Sequence, residues 1–130
     1  MAAGLFVPAT HAKISNGTSL SGEVDLRGLV VVSIAIPSSW TAAKITFQGS
    51  EKLTAEGGTF GNIFLDPGTA AGPSTELTMD AIAGQINYLA GANVSSLILG
   101  NCVLKIRSGT NAAAVNQAAD RDITIYLRPF

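Results

Sequence analysis

Nucleophilic catalysis needs a nucleophile with a base within hydrogen-bonding reach, and histidine is the usual base. This chain of 130 residues has one histidine, His11, and one cysteine, Cys102. His11 stands beside Thr10 ahead of a strand-like segment, where a surface or interface position accounts for it. Cys102 opens the run Cys102-Val103-Leu104-Lys105-Ile106-Arg107. On the inward side of a strand a free cysteine behaves as a small hydrophobe. Two carboxylate pairs could in principle run glycoside hydrolysis: Glu23 with Asp25, and Asp120 with Asp122 around Arg121. Neither has aromatic neighbours to form a sugar platform, and local ion pairs at solvated strand ends explain both. Asp66, Asp80 and Asp120 fall in or near loops, yet no loop has the dense oxygen-ligand spacing of a calcium site. Glu56-Gly57-Gly58-Thr59-Phe60-Gly61 superficially resembles a phosphate loop. No Lys-Ser or Lys-Thr pair follows it, so it reads as a hairpin tip. Trp40 could stack on a ligand, but a tryptophan in a corner between strands more simply plugs a core. The expectation is a protein without catalysis, cofactor or metal.

The elements that position these residues read as strands. Gly, Ser, Thr, Asn and Pro punctuate the chain about every ten residues, with β-branched residues between. Lys44-Ile45-Thr46-Phe47-Gln48 alternates polar and apolar, the period of a half-buried strand. Asp122 to Arg128 does the same, with Ile123, Ile125 and Leu127 on one face. In the Cys102–Arg107 run, Cys102, Leu104 and Ile106 are expected inward, with Lys105 and Arg107 outward. Leu29 to Ile36 is apolar on both faces: Val30, Val32, Ile34 and Ile36 on one, Leu29, Val31, Ser33 and Ala35 on the other. That predicts a central strand, or one whose outer face meets another subunit; Pro37 ends it.

Weaker strands are predicted at Ala12–Ser15, Leu20–Leu26, Phe60–Leu65, Thr75–Met79 and Gln85–Leu89. Asp66-Pro67-Gly68 reads as a turn, Ala92–Gly100 admits a short helix, and Ala-rich Asn111–Ala119 lacks the apolar repeat of one. The fold class is all-β, an antiparallel β-sandwich or jelly-roll-like domain over residues 11–130 behind an extended arm at 1–10.

Composition narrows the function further. Eight Lys and Arg oppose nine Asp and Glu, for a net charge of -1. The basic residues are scattered and lack the stripe that phosphate contacts require, which argues against nucleic acid. No apolar run is long enough for a spanning helix, and the N-terminus lacks the basic region and apolar core of a signal peptide. A soluble protein made in the cytoplasm is expected. With 47% hydrophobic and only 13% charged residues, part of the surface is expected to be covered by partners.

One resemblance becomes usable on particular runs. These are Ser21-Gly22-Glu23-Val24-Asp25-Leu26-Arg27-Gly28, the long run Ile36 to Ser50 with Pro37-Ser38-Ser39-Trp40, then Leu104 to Thr110, and Val115 to Thr124. Together they resemble small β-sandwich virion proteins of tailed bacteriophages and prophages. The middle diverges: such proteins often carry an Asp-Gly hairpin where this chain has Gly57-Gly58-Thr59. The resemblance implies a virion-associated β-sandwich made in a bacterial host, on the head or the tail. A compact sandwich with few charges and an extended N-terminal arm suits capsid decoration (cement) on the head surface, which is the leading expectation, with the major capsid protein and copies of itself as partners and a homotrimer as the expected assembly. A cement protein binds many equivalent sites and stabilises the shell by binding only its assembled state. Leu5-Phe6-Val7-Pro8 and the terminal Phe130 are the expected contacts, by strand addition or pocket insertion. The alternative is a carbohydrate-binding or host-adhesion module of a tail or head fibre. It would need an exposed aromatic platform, for which Trp40, Tyr88 and Tyr126 are the candidates.

Overall fold

A computed structural model describes residues 9–65, 75–89 and 102–129. Within them the chain forms two antiparallel sheets that enclose one apolar core. Strands β1 (Ala9–Ile14), β3 (Leu29–Ala35), β9 (Ile86–Tyr88) and β11 (Arg121–Pro129) make the first sheet, in the order β1-β11-β3-β9. The second sheet is built on β10 (Val103–Ser108) between β2 (Val24–Asp25) and β4 (Ile45–Ser50). The far edge of β4 is shared by two short strands. β5 (Gly61–Asn62) pairs with one half and β8 (Thr78–Met79) with the other. Between them the chain peels away to form a small ribbon of β6 (Phe64–Leu65) and β7 (Thr75–Glu76). The exchange point is held where Ile63 donates its amide to the Phe47 carbonyl and Leu77 donates to that of Ile63. The fold is thus an antiparallel β-sandwich, the class its alternation predicts.

The core follows from strand periodicity. The first sheet contributes Ala12, Ile14, Val31, Ile34, Ile123, Ile125 and Leu127, and the second contributes Val24, Ile45, Phe47, Leu104 and Ile106. Leu26, Ile36, Leu77, Met79 and Leu89 complete the same cluster. Each large side chain removed from water contributes roughly 1.5–3 kcal/mol. Trp40 packs against this core half-buried, its indole Nε1 donating to the Ala43 carbonyl at 3.2 Å. The segment at 111–119 holds no helix. It folds back through a bridge between Gly109 and Ala114.

Four details depart from the sequence expectation. In β3 the alternation slips by one residue: Tyr126 pairs with Ser33 but Leu127 with Val31. Val32 is the extra residue of this bulge, so Val31 and Ile34 both reach the core while Ser33 turns outward with Tyr126. Arg107, expected outward, does lie on the outer side of its sheet, but that side is covered, and the residue is buried. Cys102 precedes β10 rather than lying in it, and is half-buried. β1 begins at Ala9, two residues inside the span expected to be an arm. The turn at Asp66-Pro67-Gly68 and the segment Ala92–Gly100 lie outside the described residues.

Candidate functional site

The side chains named as candidates by their chemistry do not converge. His11 is exposed on β1 opposite Thr124 of β11. The Cys102 thiol touches the core and its pKa is raised by burial, which leaves it a poor nucleophile near neutral pH. Asp25 is bound by Arg27 through Nη2 at 2.7 Å and Nε at 2.9 Å, and Arg27 Nη1 also reaches Glu56 at 3.0 Å. The Arg27 hydrogen bonds hold the Asp25 carboxyl below its usual value. Glu23 instead accepts the Thr54 amide at 2.7 Å. Asp120 accepts the Asn16 amide at 2.8 Å and pairs with Lys13 at 3.4 Å, and these two contacts depress its pKa in that order. Glu23, Asp25 and Asp120 therefore act as loop ties, while Asp122 stands in β11 opposite Lys13. Among the described residues no group of three or more His, Cys, Asp or Glu side chains is placed to hold a metal ion.

The glycine segment makes one turn of 3₁₀ helix, Thr54–Glu56, within the β4–β5 connection. Glu56 accepts the Leu53 amide at 3.0 Å, and Gly57 closes the turn at φ 89°, a backbone region that favours glycine. Leu5, Phe6, Val7, Pro8 and Phe130, the expected partner contacts, lie outside the described residues.

Two constellations emerge that depend on register. The first is a buried charged cluster on the outer side of the second sheet. Arg107 donates to Glu76 Oε2 at 3.1 Å, to Asn62 Oδ1 at 2.7 Å and to Thr46 Oγ1 at 3.4 Å. The paired side chains of Arg107 and Glu76 are only 8% and 13% exposed. Glu76 also accepts the Asn111 amide at both oxygens. Both carboxylate oxygens of Glu76 accept hydrogen bonds, and the cluster joins β7, β10, β4, β5 and the loop after β10. Nothing in sequence spacing pairs Glu76 with Arg107.

The second lies on the outer face of the first sheet. Register places Ala9, Tyr126, Ser33 and Tyr88 in one row across its four strands, and His11, Thr124, Ala35 and Ile86 in the next. Tyr88 is 74% exposed and Tyr126 37%, with Ser33 buried between them. Two strand spacings separate the tyrosines, about 10 Å between their backbones. Ile86 is exposed beside Tyr88, and Ile82 in the preceding loop is exposed too. Of the three aromatic candidates, the fold brings Tyr88 and Tyr126 onto one face and ties Trp40 to the core. Such a row can bury apolar faces or stack on flat ligands.

No family model matches this chain, and no curated protein or solved structure was found to be similar to it.

Proposed function

We propose that this protein is a structural component of a bacteriophage virion, a decoration module that binds the outside of an assembled head and stabilises it without catalysis. One observation carries the reading. The four sequence runs that resemble phage virion proteins, far apart in the chain, are joined by hydrogen bonds into one unit. Ser21 of the first run accepts the Ile106 amide through its hydroxyl at 2.8 Å and donates its own amide to the Ile106 carbonyl. Thr46 donates its hydroxyl to the Gly109 carbonyl at 2.8 Å. Gln117, almost fully buried, accepts the Thr41 amide at 2.9 Å, returns a bond to the Thr41 carbonyl and donates to the Ser108 hydroxyl. The resembling residues thus form a self-consistent framework of sheet, corner and loop, as a shared architecture would require.

The scarcity of charge supports the same reading, since a surface that is covered in its working state does not need dense solvation. Under this proposal the major capsid protein is the partner, the module acts as a homotrimer over the shell, and the N-terminal residues Leu5 to Pro8 supply an anchor. The direct consequence is energetic. A ligand that binds only the assembled shell stabilises it by RT ln(1 + [L]/Kd), so the temperature at which the shell ruptures rises as free ligand exceeds its Kd. Shells from a phage lacking this protein should rupture at a higher temperature once it is added back to saturation. An unchanged rupture temperature at every protein concentration would contradict the proposal.

A further inference from the structure

The outer face of the first sheet has a chemistry that shell binding does not require. We propose that the Tyr88–Ser33–Tyr126 row is a platform for a linear polysaccharide, which lies across the strands with its sugars stacked on the two tyrosine rings.

The case begins with spacing. Tyr126 and Tyr88 sit at the two ends of a three-strand row, on β11 and β9, with β3 between. Their separation of about 10 Å is close to the length of a disaccharide repeat, so the rings meet alternate sugars of an extended chain. The residue between them is Ser33, small and buried, so no side chain rises between the rings. The bulge at Val32 lies just beyond this row, where the register shifts between Tyr126 and Leu127.

The chemistry of the face matches a sugar better than a second protein surface. A pyranose offers an apolar face of C–H groups and a rim of hydroxyls. Aromatic faces carry partial negative charge that attracts those C–H groups, and tyrosine keeps a hydroxyl for the rim. Polar groups border the tyrosines in the adjacent row, where His11 and Thr124 precede Ala35 and Ile86. Beyond them Lys13 stands opposite Asp122. Interfaces between copies of one chain are on the order of 65% apolar; here two exposed rings stand on a small, partly polar floor. The exposure of Tyr88 at 74% leaves its ring free to be covered without unpacking the core.

The test is affinity electrophoresis of the full chain through gels containing a neutral β-linked glucan, an α-linked glucan or a bacterial surface polysaccharide. At least one should retard the protein. Tyr88→Ala and Tyr126→Ala should each reduce the retardation at least fivefold. Tyr88→Phe should keep most of it, because stacking needs the ring rather than the hydroxyl. Thr59→Ala, an exposed change in the β4–β5 connection of the other sheet, should leave it unaltered. A circular dichroism melt of each variant separates lost binding from lost folding. Absence of retardation in every gel would overturn the proposal, as would retardation insensitive to both alanine variants. A third result would also overturn it: no sugar binding, with Tyr88→Ala abolishing attachment to shells, which would make the face a protein interface.

Discussion

Arg107 donates to Glu76, Asn62 and Thr46 from a position almost closed to water. Two charges removed from solvent cost several kcal/mol each to desolvate, and the pair holds because its hydrogen bonds and mutual attraction offset that cost. Removing one member strands the other. Arg107→Ala should cost about 3–5 kcal/mol in chemical denaturation. The double variant Arg107→Met, Glu76→Gln should lose markedly less, because it removes both charges and keeps an acceptor for the Asn111 amide. A double variant as unstable as the single would show that the cluster stabilises through its charge, against this reading.

The exposed carboxylates act with the opposite logic. Asp25, held by Arg27, and Asp120, held by the Asn16 amide and Lys13, both have folded pKa values below the ordinary 3.8. A depressed carboxylate pKa contributes stability above the unfolded value, and that contribution is lost as pH falls through the folded one. Stability should therefore decline below about pH 4. Asp25→Asn and Asp120→Asn should each lower the melting temperature slightly at neutral pH and flatten the acid limb. The effect should shrink in high salt, because both sites are open to solvent. An acid limb unchanged in the double asparagine variant would place the acid-labile groups elsewhere.

Among the elements, local alternation determined most of what could be foreseen. β4, β10 and β11 carry clean period-two patterns, and their apolar residues Ile45, Phe47, Leu104, Ile106, Ile123, Ile125 and Leu127 all reach the core. Three features needed information that no local window contains. The bulge in β3 depends on its pairing with β11, and both faces of that segment are apolar enough to hide the slip. The burial of Arg107 depends on chain that returns over the second sheet through β5 to β8, so its polar outward pattern was legible but its cover was not. The predicted strands at Phe60–Leu65 and Thr75–Met79 each break in two because Ile63 and Leu77 trade places along β4. The tyrosine row is of the same kind. Tyr88 and Tyr126 were visible as aromatics, but only register brings residues 38 positions apart in sequence onto one face.

One connection is set by a single backbone angle. Gly109 follows β10 at φ 89°, and a Cβ there would stand 2.5 Å from the Ala113 carbonyl oxygen and 2.6 Å from the Val115 amide nitrogen. The loop it turns carries Gln117, whose bonds to Thr41 and Ser108 tie the 109–119 segment to the corner after β3. Gly109→Ala combines left-handed strain with this collision and should destabilise by about 2–3 kcal/mol. Gly17→Ala, at φ 79° with open space around the added atom, should cost only about 1 kcal/mol. Equal losses in the two variants would mean that the close approach at Gly109 is relieved by movement of the loop.

At the scale of the whole molecule the two sheets differ in what their outer faces meet. The second is partly overlaid by its own chain: Arg107 is sealed by Glu76 and Asn62, and Lys105 Nζ lies 4.4 Å from the centre of the Phe60 ring. The first leaves Tyr88, Tyr126 and Ile86 uncovered. A module with this asymmetry can attach to a large assembly by one region and present another outward, so the proposed decoration and the proposed sugar binding are compatible in a single small domain. The polar side chains inside it serve the frame: among the described residues no buried side-chain nitrogen or oxygen lacks a hydrogen-bond partner.

The proposed role on a virion is tested most directly by co-sedimentation. Phage shells stripped of this protein would be titrated with it and pelleted, and the bound fraction measured against capsid subunits. Decoration predicts saturable pelleting at a fixed ratio, with the ratio reporting the symmetry position that the module occupies. Protein that stays in the supernatant at every ratio, while remaining folded, would contradict it.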